Sequence, residues 1–148
     1  VTFAHVRSRR TFHGSTLIVV ASLTALIAGG AEGNGITKSV TQTCTGGGQL
    51  CNNVATVPIS LPNGGPGIAQ FTPGQFTCSN FRIHYLVDGT EVNVTAFVGP
   101  GGNTGIVSLG PIGPGAHTIG LKAEGQTGGC NGGTLQSWAG VVHMQKGP

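Results

Sequence analysis

The chain has 148 residues, 28 of them Gly and 8 Pro, with 7% charged and 5% aromatic. This length suits about one domain and excludes a large multi-domain enzyme. Glycine at this density excludes a helical bundle, and the scarcity of charge excludes a charged disordered tail. The formal charge of +3 is unevenly placed. Arg7, Arg9 and Arg10 lie near the start, whereas beyond Ala31 the cations Lys38, Arg82, Lys122 and Lys146 are balanced by Glu32, Asp88, Glu91 and Glu124. The region after Ala31 is therefore neutral, which leaves no electrostatic basis for nucleic acid or anionic membrane as a partner.

The first elements are an address. Arg7, Arg9 and Arg10 precede an uncharged run, 15–27, rich in Leu, Ile, Val and Ala, and small residues follow at 28–31. This is the layout of a secretory signal peptide, 1–31, removed on export. The run is shorter than the roughly 20 residues that a spanning helix needs. Ser8-Arg9-Arg10-Thr11-Phe12 resembles the twin-arginine export motif, departing from it at His13 and Gly14. That resemblance implies a bacterial protein exported in folded form, and the expected location is secreted or extracellular.

Residues 32–50 read as a polar, Gly-rich leading segment, within which 36–43 suits an edge strand, and 51–148 as the folded domain. Cys44, Cys51, Cys78 and Cys130 all fall after the signal. An even count in an oxidising compartment predicts two disulfides. Three pairings are possible; Cys44–Cys51, closing a short Gly-rich loop, with Cys78–Cys130, a long-range staple, is the favoured one. No Cys or His pair has zinc-ligand spacing.

Residues 54–61 are β-branched, and Pro58 confines them to an edge or a bend. A Pro/Gly loop is expected over 62–67 and a short strand over 68–71. The clearest element starts at Phe81. Phe81, Ile83, Tyr85 and Val87 alternate with Arg82, His84 and Leu86; Asp88-Gly89 follows; then Val92, Val94, Ala96 and Val98 alternate with Glu91, Asn93, Thr95 and Phe97. Asp-Gly between alternating runs predicts a type I′ hairpin, since both residues tolerate positive φ. Further strands are expected over 106–109, over 116–124 with His117, Ile119, Leu121 and Ala123 on one side, and over 135–144 with Trp138, Val142 and Met144 on one face. The stretches 110–115 and 126–133 read as turn and loop. Many short strands without a capped helical period predict an all-β, two-sheet sandwich stapled by disulfides.

Tyr85-Leu86-Val87-Asp88-Gly89-Thr90 and Gly115-Ala116-His117-Thr118-Ile119-Gly120-Leu121-Lys122-Ala123 resemble bacterial immunoglobulin-like domains, and the second segment also resembles strands of jelly-roll lectin and phage-tail modules. The likeness covers about forty residues. It implies a sandwich, Ig-like or jelly-roll, with adhesive or scaffold roles and no catalytic residues.

The sequence holds no nucleophile elbow, zinc-protease helix motif or phosphate loop. Glu91 with Glu124 is the sole carboxylate pair to nominate for glycoside chemistry, and His84, His117 and Asp88 the sole metal set. Neither is expected to act; no cofactor and no enzyme activity are predicted. Trp138, the one tryptophan, and Tyr85 are the candidate ligand contacts, because a sugar's C–H face packs on an aromatic surface; both also suit a core. Phe97, on the polar side of its strand, suits an exposed contact or an intersheet position. Two functional classes follow. One is a non-enzymatic structural or adhesive protein at the bacterial cell surface, self-associating through 36–43 by strand addition, with other protein subunits as partners. The other is a carbohydrate-binding module or lectin, with cell-surface glycan as partner.

Overall fold

A computed structural model describes residues 35–75 and 77–148. The expected signal peptide, 1–31, with Arg7, Arg9 and Arg10, lies outside the described residues. Eight strands follow in order: β1 (Ile36–Thr43), β2 (Ala55–Leu61), β3 (Gly65–Pro73), β4 (Phe81–Val87), β5 (Thr90–Val94), β6 (Val107–Ile112), β7 (Gly115–Gly125) and β8 (Ser137–Lys146). A short 3-10 turn, Cys130–Gly133, precedes β8. Among the described residues no helix is long and apolar enough to cross a membrane.

The strands form two four-stranded sheets, β1-β8-β3-β6 and β2-β7-β4-β5. All neighbours are antiparallel, and β1 pairs with β8, β2 with β7, β3 with β6 and β4 with β5. The chain is thus one long hairpin, four strands out and four back, rolled so that successive strand pairs alternate between the sheets. That is the jelly-roll winding, and it decides between the two sandwich types the sequence left open. The tip of the long hairpin is the turn at Asp88-Gly89. Its φ values of 50° and 84° are both positive, as a type I′ turn requires.

The core lies between the sheets. Val40, Ala69, Phe71, Leu109, Trp138, Val142 and Met144 face Val57, Phe81, Ile83, Tyr85, Ile119, Leu121 and Ala123 across it. Trp138 and Phe71 from one sheet meet edge-on at 5.8 Å, and Phe71 meets Phe81 of the other sheet at 6.0 Å. The ring of Phe71 lies where a Cβ on Gly140 would stand, so a glycine in β8 makes room for this aromatic contact. The two disulfides join Cys44 to Cys51 and Cys78 to Cys130, the favoured pairing.

Three readings of the sequence are corrected. Strand β1 is an edge, as expected, but not a leader ahead of a domain at 51. It pairs with β8 along its whole length, and Val40 is buried in the core, so β1 is part of the sandwich. The supposed loop at 65–67 is the start of β3, where Pro66 stands opposite Pro111; two residues lacking an amide donor pair at the sheet's end, where no ladder bond is forfeited. The return strand of the hairpin stops at Val94 rather than Val98. Tyr85 pairs with Asn93 but Leu86 with Glu91, so Val92 is the extra residue of a bulge and is 41% exposed. Beyond the bulge the alternation is shifted. Thr95 is buried, and its hydroxyl accepts from the Ile83 amide at 2.9 Å and donates to the Ala96 carbonyl at 2.9 Å.

Candidate functional site

The two outward faces of the sandwich differ in chemistry. On the β2-β7-β4-β5 sheet, alternation turns Arg82 and His84 of β4 outward, beside Glu124 and Lys122 of β7. Arg82 donates from Nε to Glu124 Oε2 at 2.9 Å and approaches the same oxygen through Nη2 at 2.8 Å. His84 sits between two carboxylates, Nε2 at 2.8 Å from Glu124 Oε2 and Nδ1 at 3.0 Å from Glu91 Oε2. The Arg82 guanidinium also lies 4.9 Å above the Phe97 ring, an attractive cation–π contact. The Glu124 carboxyl is held below the usual carboxylate range, first by the Arg82 hydrogen bond and then, against desolvation, by His84. At the hairpin tip Asp88 Oδ2 meets His117 Nδ1 at 2.7 Å, Asp88 Oδ1 accepts from the Thr118 amide at 2.8 Å, and His117 Nε2 meets the Gly113 carbonyl at 2.9 Å. Both nitrogens of His117 thus face acceptors, an arrangement that only the imidazolium satisfies. Its pKa is raised, chiefly by the Asp88 hydrogen bond, and that of Asp88 is lowered, chiefly by His117.

These groups answer one another. The carboxylate pair nominated from the sequence, Glu91 and Glu124, converges on the two nitrogens of a single histidine rather than flanking a cleft. His84 is not brought to Asp88 and His117. Among the described residues no three His, Cys, Asp or Glu side chains are arranged to hold a metal ion.

A cleft of about 340 Å³ opens at one end of the other sheet. One wall is the chain after β3, at Gly74 and Thr77 to Ser79; the other is Asn131 with the run from Thr134 to Ala139. The walls are fixed to each other. Cys78 is bonded to Cys130, Ser79 Oγ donates to the Cys130 carbonyl, and the Gly74 amide donates to the Ala139 carbonyl at 2.9 Å. Thr41, from β1, completes the lining. Asn131 is held at φ 58°, left-handed backbone uncommon for a residue other than Gly. No charged side chain lines the cleft among the described residues. Thr77 and Ser79 bond to backbone carbonyls, but five of its polar side chains are of another kind from those of the first face. Thr41, Asn131, Thr134, Gln136 and Ser137 make no side-chain hydrogen bond to any described residue, although each carries a donor and an acceptor.

Trp138 also lines this cleft, but its indole ring is turned inward. It is 2% exposed, and its Nε1 is buried without a hydrogen-bond partner. The ring therefore offers no stacking face, a correction to its expected part as an aromatic platform. Parity explains it: Trp138, Val142 and Met144 occupy the inward positions of β8. Tyr85 is corrected likewise. It is fully buried in β4, away from the cleft, and its hydroxyl makes no hydrogen bond. Burial raises its pKa strongly. Phe97, 39% exposed, is the aromatic that reaches solvent among the described residues, with Arg82 on one face.

Sequence reasoning missed Thr41, Asn131, Thr134, Gln136 and Ser137. The signal available was the uncharged polar stretch after a cysteine predicted to be stapled to a distant loop.

No family model matches the chain, and no curated protein matches it. The solved structures do. The chain is similar to the CBM36-1 domain of a multidomain xylanase from the hindgut metagenome of Trinervitermes trinervoides, with a TM-score of 0.51 and 10% identity over 78% of this chain and 99% of that one. It is also similar to a family 35 carbohydrate binding module from Clostridium thermocellum, with a TM-score of 0.46 and 14% identity over 76% of this chain and 92% of that one. At such identity the likeness is one of fold.

Proposed function

We propose that this protein is a secreted, non-catalytic carbohydrate-binding module whose site is the stapled cleft at the end of β8. The observation that carries the reading is the set of unpaired side chains there. All five are exposed or half-buried, so a ligand that bonds them breaks no bond within the described chain. Five uncharged donor–acceptor side chains with no partner in the described chain, around a cavity of about 340 Å³ with disulfide-tied walls, are suited to a neutral polyhydroxyl ligand, which offers several hydroxyls per unit and no charge to be neutralised. Sites for small molecules are commonly concave and largely pre-formed, with a few convergent polar groups. The sandwich shared with the xylanase module adds support at the level of fold. Two disulfides support export, since such bonds persist in oxidising compartments.

The test is a titration with soluble neutral polysaccharides: xylan, mannan, galactan and mixed-linkage glucan. Trp138 is the one tryptophan in the chain and borders the cleft, so its emission reports occupancy. At least one polysaccharide is expected to shift that emission, and Thr134→Ala with Gln136→Ala to weaken binding about tenfold or more, the loss of roughly two hydrogen bonds. A flat titration across the panel, confirmed by calorimetry, overturns the reading.

Self-association through β1 is the second reading, favoured by the outer edge of that strand, which pairs with no other strand among the described residues. Removing 36–43 is not a clean probe of it, because Val40 belongs to the core and the deletion would bare the edge of β8. Sedimentation of the intact protein is. A concentration-dependent dimer supports this reading, and a monomer at all concentrations removes it.

A further inference from the structure

The sheet that ends at the cleft has a second depression further along the same face. It measures about 420 Å³ and is bordered by Thr37, Gln70, Ile106, His143 and Gln145. Between the two, the outward positions are in register across three strands. Thr37, His143 and Gln70 form one row, Ser39, Val141 and Thr72 the next, and Thr41 with Ala139 the third, beside the cleft. Successive rows stand about 7 Å apart and the strands about 4.8 Å apart. The charge differs from the opposite sheet. Asp88, Glu91 and Glu124, the carboxylates among the described side chains, all belong to the other side of the sandwich, and Lys38 and Lys146 fall at inward parity in their strands. The rows hold hydroxyls, amides, small aliphatic side chains and one histidine. His143 bonds Thr37 Oγ1 through Nδ1 at 2.7 Å, which leaves Nε2 free. Beside it Ile106 is 68% exposed, an apolar surface at the rim of the depression.

We infer that this face is a track for an extended, uncharged polysaccharide chain, lying along β1, β8 and β3 from the cleft to the depression at His143. The inference rests on the glycan-binding reading of the cleft and extends it. The eight residue steps from Ser137 to Gln145 span about 26 Å, room for several sugar units in line. An uncharged occupant matches the face: a neutral chain loses no ionic hydration on binding, and each row offers it hydroxyl or amide partners. The mid-track residues Ser39, Val141 and Thr72 are small enough to let a chain pass. Ile106 gives the C–H face of a sugar unit an apolar contact at the far end. A free mono- or disaccharide fills the cleft alone, whereas a longer chain reaches Gln70 and His143.

The experiment compares Kd for one series of neutral oligosaccharides, from disaccharide to octasaccharide, of whichever backbone the intact protein binds. Three proteins are measured: the natural chain, Gln70→Ala with His143→Ala, and Ser39→Arg, an exposed mid-track change that removes no hydrogen bond. Affinity of the natural chain is expected to rise about tenfold or more with length and then level off. Both variants should keep the disaccharide affinity and lose the rise. Equal affinity at every length, unmoved by either variant, overturns the track and leaves the cleft intact. No binding at any length removes both. A dimer that Ser39→Arg or His143→Ala dissociates also overturns the track, because the face would then belong to a second copy.

Discussion

The two outward faces of this sandwich are built from the same pattern, every second residue of an antiparallel strand, and put to opposite use. On the β4–β7 side, Arg82, His84, Glu91 and Glu124 bond to one another within 3.0 Å. At the cleft end of the β1–β8 side, the side chains of Thr41, Thr134, Gln136 and Ser137 make no hydrogen bond to any described residue. A polar side chain whose donors and acceptors are all met within the chain contributes to holding the fold; one with a donor or acceptor left over is free for something outside it. The contrast teaches that hydrogen-bond accounting, more than residue type, separates a structural face from a binding face. Histidines and carboxylates drew attention in the sequence, yet in the structure they are the satisfied set.

The largest effect should come from the staples, because the neutral face depends on one of them for its shape. In the chain-entropy account, the Cys78–Cys130 bond, with a sequence separation of 52, stabilises by about 4 kcal/mol. The Cys44–Cys51 bond, with a separation of 7, gives about 2.4 kcal/mol. Denaturant unfolding of C78A/C130A should show the larger loss, and glycan binding should go with it, since the cleft walls are no longer tied. C44A/C51A should lose less stability and keep its binding once folded. Equal losses of binding in the two double variants would mean that the cleft is not held by its own disulfide.

The charged face should respond the other way. Glu124→Gln leaves Arg82 and His84 without their common anion, at a cost of about 1–2 kcal/mol for a partly exposed network, and should not change binding. The pH dependence has a definite sign. Because the folded-state pKa of Glu124 is lowered, its stabilisation is complete above the ordinary glutamate value and fades as pH falls through the lowered one. The wild-type advantage over Glu124→Gln should therefore shrink in acid. An advantage that stays constant down to the lowest workable pH would show that the carboxylate is not the stabilising form.

The Asp88–His117 clasp bounds the same face at the hairpin tip and titrates from both ends. His117 has a raised folded-state pKa, so its contribution is full below the ordinary imidazole value and is lost as pH rises through the raised one. Asp88, lowered by His117, contributes above the ordinary aspartate value and loses its part as pH falls through the lowered one. Thermal unfolding of the natural chain and of Asp88→Asn should differ most in the mildly acidic range between those limits and converge in alkali. The asparagine keeps the left-handed turn backbone, which isolates the charge. A difference that grows with pH above the histidine range would reverse this assignment.

How far the sequence could be read follows the same division. The sandwich, the Asp88-Gly89 tip, both disulfide pairs and the inward faces of β4, β7 and β8 were legible, because period-2 hydrophobicity and turn chemistry are local signals. Three features were not. Pro66 and Pro111 disguise a strand pair that survives only at a sheet end. The bulge at Val92 shifts a regular alternation and brings Thr95 inward, and no composition marks it. The cleft gathers Thr41, Thr77 and Thr134 from distant segments, which only the winding of the two sheets brings together. Trp138 illustrates the limit most plainly. Its value as a sugar platform and its value as core are the same chemistry, and only the parity of β8 decides between them.

The smallest effect on stability should belong to the residues with the largest effect on binding. Thr134→Ala with Ser137→Ala removes two hydroxyls that make no hydrogen bond to any described residue, in partly or fully exposed positions. Surface changes away from caps, pairs and core usually fall within about 0.5 kcal/mol, so the unfolding midpoint should barely move. Binding should fall all the same, because those hydroxyls have a partner only in the complex. A residue that costs nothing to lose in the free protein and much in the bound one is the signature of a recognition surface. Glu124→Gln should show the reverse. If instead Thr134→Ala with Ser137→Ala unfolds the protein and Glu124→Gln abolishes binding, the roles of the two faces are exchanged, and the glycan lies across Arg82 and Phe97.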